Sequence, residues 1–343
     1  MKERVKWVDC LRLLAIFSIY LFHFGDAAGK AYLFADLYHI KLFFFISGFF
    51  FAGVAGAEEL RKRLIKIVFR VGVPTLLFVL INVAFLTVVN RYSIDKVISV
   101  LQVYIGMKKG SGIGGLWFLG CFFFLSVLHL VVSYLVKNKY LVFALALALY
   151  LYIGFANPFK LTEHLFASID LIPQFWVFYS LGSVVFPLLQ KMDTSGTTQS
   201  EILRAGLLIL TGIYAGMCFS GGSYVSYGSA VIFNFAGAII LILFFTIIAQ
   251  YISKLLRDSS IILKIGRATF VLCATENMTK RIVADILSAA GAEIEISTPI
   301  TAAIFTVIYL LFGYLLWFRC VAGIFPILSG HYSPKQKLKT DKK

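Results

Sequence analysis

Charge is what this sequence has least of. Only 14% of its 343 residues are Asp, Glu, Lys or Arg, against 60% hydrophobic. A water-soluble domain cannot cover that much apolar surface with so few charges, so a soluble fold is excluded. Acidic residues are scarcest, 17 against 32 Lys and Arg, giving a formal net charge of +15. No basic stretch has the interleaved aromatics of a strand-binding surface, so nucleic acid is not an expected partner. The excess fits instead the rule that cytoplasmic loops of membrane proteins collect Lys and Arg. Cysteine is also sparse. Cys10, Cys121, Cys218, Cys273 and Cys320 all lie in apolar segments without paired spacing, which argues against a disulfide frame or a zinc site. Polar linkers are nearly missing; residues 193–200 form the one clear case, and no segment is long and polar enough for a separate soluble domain. The outer loop ends in Gly110, Gly112, Gly114 and Gly115, but no strand precedes them and no Gly-Lys-Ser/Thr follows. They read as a flexible strip that could gate an external site, not as a phosphate loop.

What remains is a series of apolar segments: 8–25, 34–54, 69–90, 116–136, 139–156, 171–190, 203–220, 228–252, 261–281 and 298–319. Spanning segments must satisfy their own backbone groups, so each is expected to be a helix. The fold class is therefore all-α, a polytopic membrane protein of about ten transmembrane helices. An even count puts both termini on one side, and the distribution of Lys and Arg makes that side cytoplasmic. Residues 1–330 read as one transmembrane domain. Residues 331–343 read as a basic cytoplasmic tail, disordered and lying against the inner leaflet. Lys2, Arg4 and Lys6 before an apolar run resemble a signal peptide, but Asp9 and Arg12 interrupt that run, so it is read as a retained first span.

The first span carries the chemistry. Arg12 and His23 are separated by about three helical turns and so share one face, roughly 16 Å apart along the axis. Polar residues inside a membrane segment usually face a bundle interior or a wet cavity. The plainer alternative is a snorkelling arginine and a satisfied core histidine. His39 opens the second span near the level of His23. It is read as interfacial ahead of a second polar group in one cavity. His129 and His164 have no visible partner. Arg61, Lys62, Arg63, Lys66 and Arg70 crowd one short stretch, either as a topology signal or as a seat for phosphates. In the ninth span Thr269, Cys273, Glu276 and Lys280 fall at helical spacing. Glu276 and Lys280 can pair one turn apart.

The run Asp9-x-x-Arg12, then His23, then Phe43-Phe44-Phe45-Ile46-Ser47-Gly48-Phe49 resembles the start of the acyltransferase family 3 of integral membrane proteins. Those proteins move acyl groups, usually acetyl, from coenzyme A to sugars of surface glycans and other acceptors. The resemblance implies a single transmembrane acyltransferase domain with acyl-CoA, acetyl-CoA foremost, as donor and no metal. His23 would be the general base, Arg12 would hold the pantetheine or phosphate end of the donor, and Asp9 would orient Arg12. Arg63, Lys66, Arg70 and Arg12 would bind the cofactor. Glu276, Trp117, Ser47 and His39 would face the acceptor. The partners implied are the lipid bilayer, a sugar or glycan, and a second copy or a partner transferase that completes delivery. The location implied is the plasma (inner) membrane of a bacterium.

Two departures stand out. The family's Arg-x-x-Arg motif is Arg63-x-x-Lys66 here, which keeps the charge but loses a bidentate fork. Its Gly-x-x-Ser-x-x-x-Tyr-x-x-His pattern has Thr269, Cys273 and Glu276 in place of Ser, Tyr and His. The rival reading is a transporter or flippase for a lipid-linked or polar substrate. Against it, the sequence shows neither an inverted repeat nor paired interrupted helices. An inactive relative acting as a scaffold is the third reading.

Overall fold

The computed structural model describes residues 5–156, 163–194, 197–219, 227–258, 260–292 and 295–330. The 331–343 tail lies outside the described residues, as do residues 195 and 196 of the linker and Gly221-Gly222-Ser223, whose composition reads as a tight outer turn.

Every regular element among the described residues is helical, as the self-satisfied backbone of a membrane segment requires. The order is α1 (Lys6–Phe22), α2 (Lys30–Asp36), α3 (His39–Gly48), α4 (Ala57–Ile67), α5 (Val73–Asn90), α6 (Ile94–Gly106), α7 (Leu116–Val136) and α8 (Lys139–Ala156). Then follow α9 (Ile172–Thr194), α10 (Thr198–Phe219), α11 (Tyr227–Leu255), α12 (Ile261–Arg267), α13 (Thr269–Ala289) and α14 (Pro299–Gly313). A π-helical turn, Val68–Gly72, joins α4 to α5, and a second, Tyr314–Val321, prolongs α14.

Among the described residues six helical stretches are long and apolar enough to cross a membrane. They are α4 with α5, α7, α8, α9 with the turn before it, most of α11, and α14 with its extension. Three of the other segments expected to span are helical but fall short for visible reasons. Helix α1 has 17 residues and includes Asp9 and Arg12. The 34–54 segment breaks at Tyr38, whose φ of −139° and ψ of −22° leave the helical region. The 261–281 segment is interrupted at Ala268 and is then studded with polar residues.

Helix α1 lies in the middle, with Trp7, Leu11, Ala15, Ile16 and Tyr20 all within 1% of full burial. It packs on α3, α11, α12 and α13. Helices α3 and α9 cross backbone to backbone. A Cβ on Gly48 would lie 2.0 Å from the Tyr179 carbonyl oxygen, and one on Gly182 would lie 2.0 Å from that of Phe45. Only two bare backbones fit there. The glycine of the Phe-rich 43–49 run thus seats that run against α9. Phe44 stacks on Phe175 at 4.7 Å between ring centroids. Outward, α8 exposes Tyr140, Leu141, Leu145 and Tyr152, an apolar face suited to lipid.

Candidate active site

Both ends of α1 are built into polar clusters. Near its N-terminus Asp9 is 2% exposed and would be costly without cations. Arg12 donates to it from one turn away at 3.4 Å, as the spacing predicts. The second cation was not foreseen: Arg267 Nε donates to Asp9 Oδ2 at 3.1 Å. Gly266 explains how it gets there. A Cβ at Gly266 would sit 1.9 Å from the Asp9 carbonyl oxygen, so α12 lies directly on α1 and delivers the next side chain to the carboxylate. A glycine beside an arginine in a short apolar helix is the one signal the sequence carried for this contact. Arg12 also stands over the Phe50 ring, 5.8 Å from its centroid.

At the other end His23 is the C-cap of α1, its amide bonded to the Ile19 carbonyl. Its side chain is 29% exposed, so the ring can be reached. His23 Nδ1 lies 2.7 Å from Glu276 Oε1. Glu276, on α13, is 1% exposed. Lys280 Nζ donates to the same oxygen at 2.6 Å, the one-turn pair expected. The ammonium sits against two rings, 5.1 Å from the Phe24 centroid and 5.5 Å from that of Tyr20. Glu276 Oε2 has no partner among the described residues.

Helix α13 is held in register with α1 by bonds to its backbone. Tyr20 Oη donates to the Leu272 carbonyl at 2.9 Å, and Asn82 Nδ2, from α5, donates to that of Ala274 at 3.0 Å. On the next turn Trp317 Nε1 donates to Thr279 Oγ1 at 3.0 Å. A polar helix thus runs through the interior with its hydroxyls satisfied, since Thr275 and Thr279 bond back to carbonyls four residues earlier. Thr269 and Cys273 are buried on the same helix.

The remaining candidates separate. His39 is 2% exposed, donates from Nδ1 to the Ala35 carbonyl at 2.7 Å, and stacks on Phe22 at 4.4 Å. Phe22 also meets the His23 ring, so His39 is one aromatic layer from the base candidate. Ser47 bonds back to the Phe43 carbonyl, and Trp117 packs beside Phe175 with Lys109 over its ring. Neither is hydrogen-bonded to the His23–Glu276 pair among the described residues.

The basic stretch is partly self-occupied. Arg63 pairs with Glu59 and donates to the Ala52 carbonyl. Hydrogen bonds from the Ala55 amide and from Arg63 hold the Glu59 carboxyl below its usual range. Arg61, Lys62, Lys66 and Arg70 are exposed. The charge of Arg70, then partial burial and the charge of Arg63, pull the Lys66 ammonium below the ordinary lysine value.

Three further groups went unread in the sequence. His164 pairs with Asp170 at 2.6 Å, and His129 accepts a bond from Trp176 Nε1 at 3.0 Å. The glycine strip before α7 is anchored rather than loose, because Asn277 Nδ2 donates to the Gly112 carbonyl at 3.0 Å. That bond ties the strip to the residue following Glu276.

Residues 5–318 match the model of the family described as an acyltransferase domain, acyltransferase family 3. No curated protein and no solved structure matches the chain. The family match takes in most of the 343 residues, and among the described residues six helical stretches are fit to cross a membrane. The protein is therefore a membrane acyltransferase, and the chain belongs to acyltransferase family 3.

Proposed function

We propose that the protein transfers an acyl group, acetyl by preference, from cytosolic acyl-CoA to a hydroxyl of a sugar or cell-surface glycan at a bacterial inner membrane. The observation that carries this reading is the His23–Glu276 contact of 2.7 Å at one end of α1, with the Asp9–Arg12–Arg267 cluster at the other. In this reading ten helices span the bilayer and both termini are cytoplasmic.

A carboxylate can only accept, so Glu276 accepts a hydrogen bond from His23 Nδ1–H, which leaves the lone pair of the neutral ring on Nε2. Nε2 is then the base. The acceptor hydroxyl gives its proton to Nε2 while its oxygen attacks the thioester carbonyl. The carbon–sulfur bond breaks, and the imidazolium returns the proton to the departing thiolate. Glu276 is a positioning residue here rather than an acceptor contact, because one of its oxygens is already shared by His23 and Lys280. Arg12 holds the donor on the cytosolic side, with Asp9 and Arg267 fixing its direction. Lys66 and Arg70, aided by Arg63, receive the phosphates of CoA. The pantetheine arm bridges the roughly 16 Å along α1 to His23. His39, Trp117, Ser47 and the anchored glycine strip belong to the acceptor side.

Thiol release from acetyl-CoA, in native membranes that supply the acceptor, tests this. The His23→Ala protein is expected to fold, reach the membrane and release thiol at the background rate. The Arg12→Ala protein is expected to bind CoA at least about tenfold more weakly, the scale of one lost charged hydrogen bond. Normal acylation by the histidine variant refutes the base. A wild type that moves a polar substrate across vesicles without releasing thiol is a transporter instead.

A further inference from the structure

The turn between α7 and α8 borders a cavity of about 190 Å³. It lies at the end of the bundle that carries the α1 N-terminus, since Phe49 at the exit of α3 packs on Trp7, ring centroids 5.5 Å apart. His129, Ser133 and Ser183 form part of its wall, and Lys137 and Lys139 flank it. No acidic side chain lines it.

His129 is 1% exposed. Its ring is fixed by Phe51, edge-on at 4.3 Å, and by Tyr179 at 4.6 Å. Trp176 Nε1 donates to its Nδ1. An indole N–H can do nothing but donate, so Nδ1 carries the lone pair and the proton of the neutral ring sits on Nε2. That Nε2–H has no partner among the described residues. A buried donor left unpaired is destabilising, and a ligand oxygen in the cavity would relieve it. Lys137 and Lys139 are exposed and form no ion pair among the described residues. The wall of the cavity therefore holds one buried unpaired N–H beside two cations and no carboxylate.

We propose that this cavity binds a phosphate group, with His129 Nε2–H donating to a phosphate oxygen and Lys137 and Lys139 neutralising its charge. Two molecules can bring that chemistry. One is the acyl-CoA donor through its 3′-phosphate, a source that rests on the transfer reading above. The other is an anionic phospholipid, reached along the apolar face of α8 at Tyr140 and Leu141; this source does not depend on that reading.

Two probes separate them in phosphatidylcholine nanodiscs. Titration calorimetry compares CoA with 3′-dephospho-CoA, and thermal unfolding compares discs with and without phosphatidylglycerol. The variants are K137Q/K139Q, both exposed positions whose change leaves the core intact, and H129F. If CoA is the source, the wild type binds CoA about tenfold more tightly than 3′-dephospho-CoA and both variants lose the preference. If lipid is the source, phosphatidylglycerol raises the unfolding temperature of the wild type and not of K137Q/K139Q. A wild type with neither preference overturns the site, as does a preference that survives in K137Q/K139Q. An active enzyme indifferent to both probes removes the cavity alone. A protein that shows the lipid preference yet never releases thiol from acetyl-CoA removes the transfer reading alone.

Discussion

Glu276→Gln is the sharpest test of the His23 geometry. The change keeps the side-chain volume and removes the charge that accepts from His23 Nδ1 at 2.7 Å and from Lys280 at 2.6 Å. A hydrogen bond to a charged group in a buried site contributes about 1.5–3 kcal/mol. If that interaction holds the imidazole in its reactive tautomer, kcat should fall by about 10- to 150-fold. An amide can also turn its NH₂ toward Nδ1, which would place the ring proton on Nε2 and abolish the base. If the donor is held at the far end of α1, the KM for acetyl-CoA should stay unchanged. Glu276→Asp separates charge from reach. One methylene fewer withdraws the carboxylate by about 1.5 Å, beyond hydrogen-bond range of Nδ1. The aspartate variant should therefore lose nearly as much as the glutamine one despite its charge. The measurement is initial-rate thiol release over a range of acetyl-CoA concentrations, on protein shown to be folded by its elution as a single species. If Glu276→Gln keeps kcat within about twofold while His23→Ala is inactive, Glu276 does not position the base and the reasoning fails.

Gly182→Val drives a side chain into the Phe45 carbonyl, where even a Cβ would lie 2.0 Å away, so α3 and α9 must separate. The expected cost is about 3 kcal/mol or more, read as a lowered unfolding temperature in detergent, and an unchanged temperature would refute the close crossing. Arg267→Met removes one cation from a carboxylate that keeps Arg12. A loss of about 1–2 kcal/mol is expected, together with weaker CoA binding in calorimetry, since Arg12 is then drawn further onto Asp9. Lys66 has its pKa lowered by its cationic neighbours, Arg70 above all, so it deprotonates earlier than an ordinary lysine as pH rises. An arriving phosphate restores its affinity for the proton. CoA binding at alkaline pH should thus take up protons, seen as heats that vary with buffer ionisation enthalpy, and a Lys66→Gln protein should lose the uptake.

The sequence made legible whatever depends on spacing along one helix. Arg12 and His23 on one stripe, Asp9 beside Arg12, and Lys280 one turn from Glu276 all follow from about 3.6 residues per turn. What spacing could not show is which helix lies against which. Asp9 meets Arg267 and His23 meets Glu276 only because α12 and α13 pack on α1, contacts between residues 258 and 253 positions apart. Glycine was the readable trace of such packing: Gly48, Gly182 and Gly266 each stand where two backbones touch. The backbone turn at Tyr38, just before His39, is a local event that no hydropathy pattern encodes. The histidines at 129 and 164 looked unpartnered because Trp176 and Asp170 reach them through tertiary packing and a loop turn.

Glu276 is coherent with its surroundings. A histidine at this position could orient His23 through one ring nitrogen without adding a charge. A carboxylate that is 1% exposed brings an anion that must be neutralised. Lys280 does so from the next turn, and its own ammonium, 23% exposed, rests on the faces of Phe24 and Tyr20. Tyr20 in turn ties α1 to the Leu272 carbonyl of the helix that bears both charged residues. Glu276, Lys280 and Tyr20 therefore act as one unit. Glutamate supplies a charged acceptor for His23 Nδ1, lysine makes its burial tolerable, and tyrosine keeps the two helices at the distance on which the 2.7 Å contact depends. A chain that had merely decayed would show the carboxylate without the cation, or the cation turned to solvent.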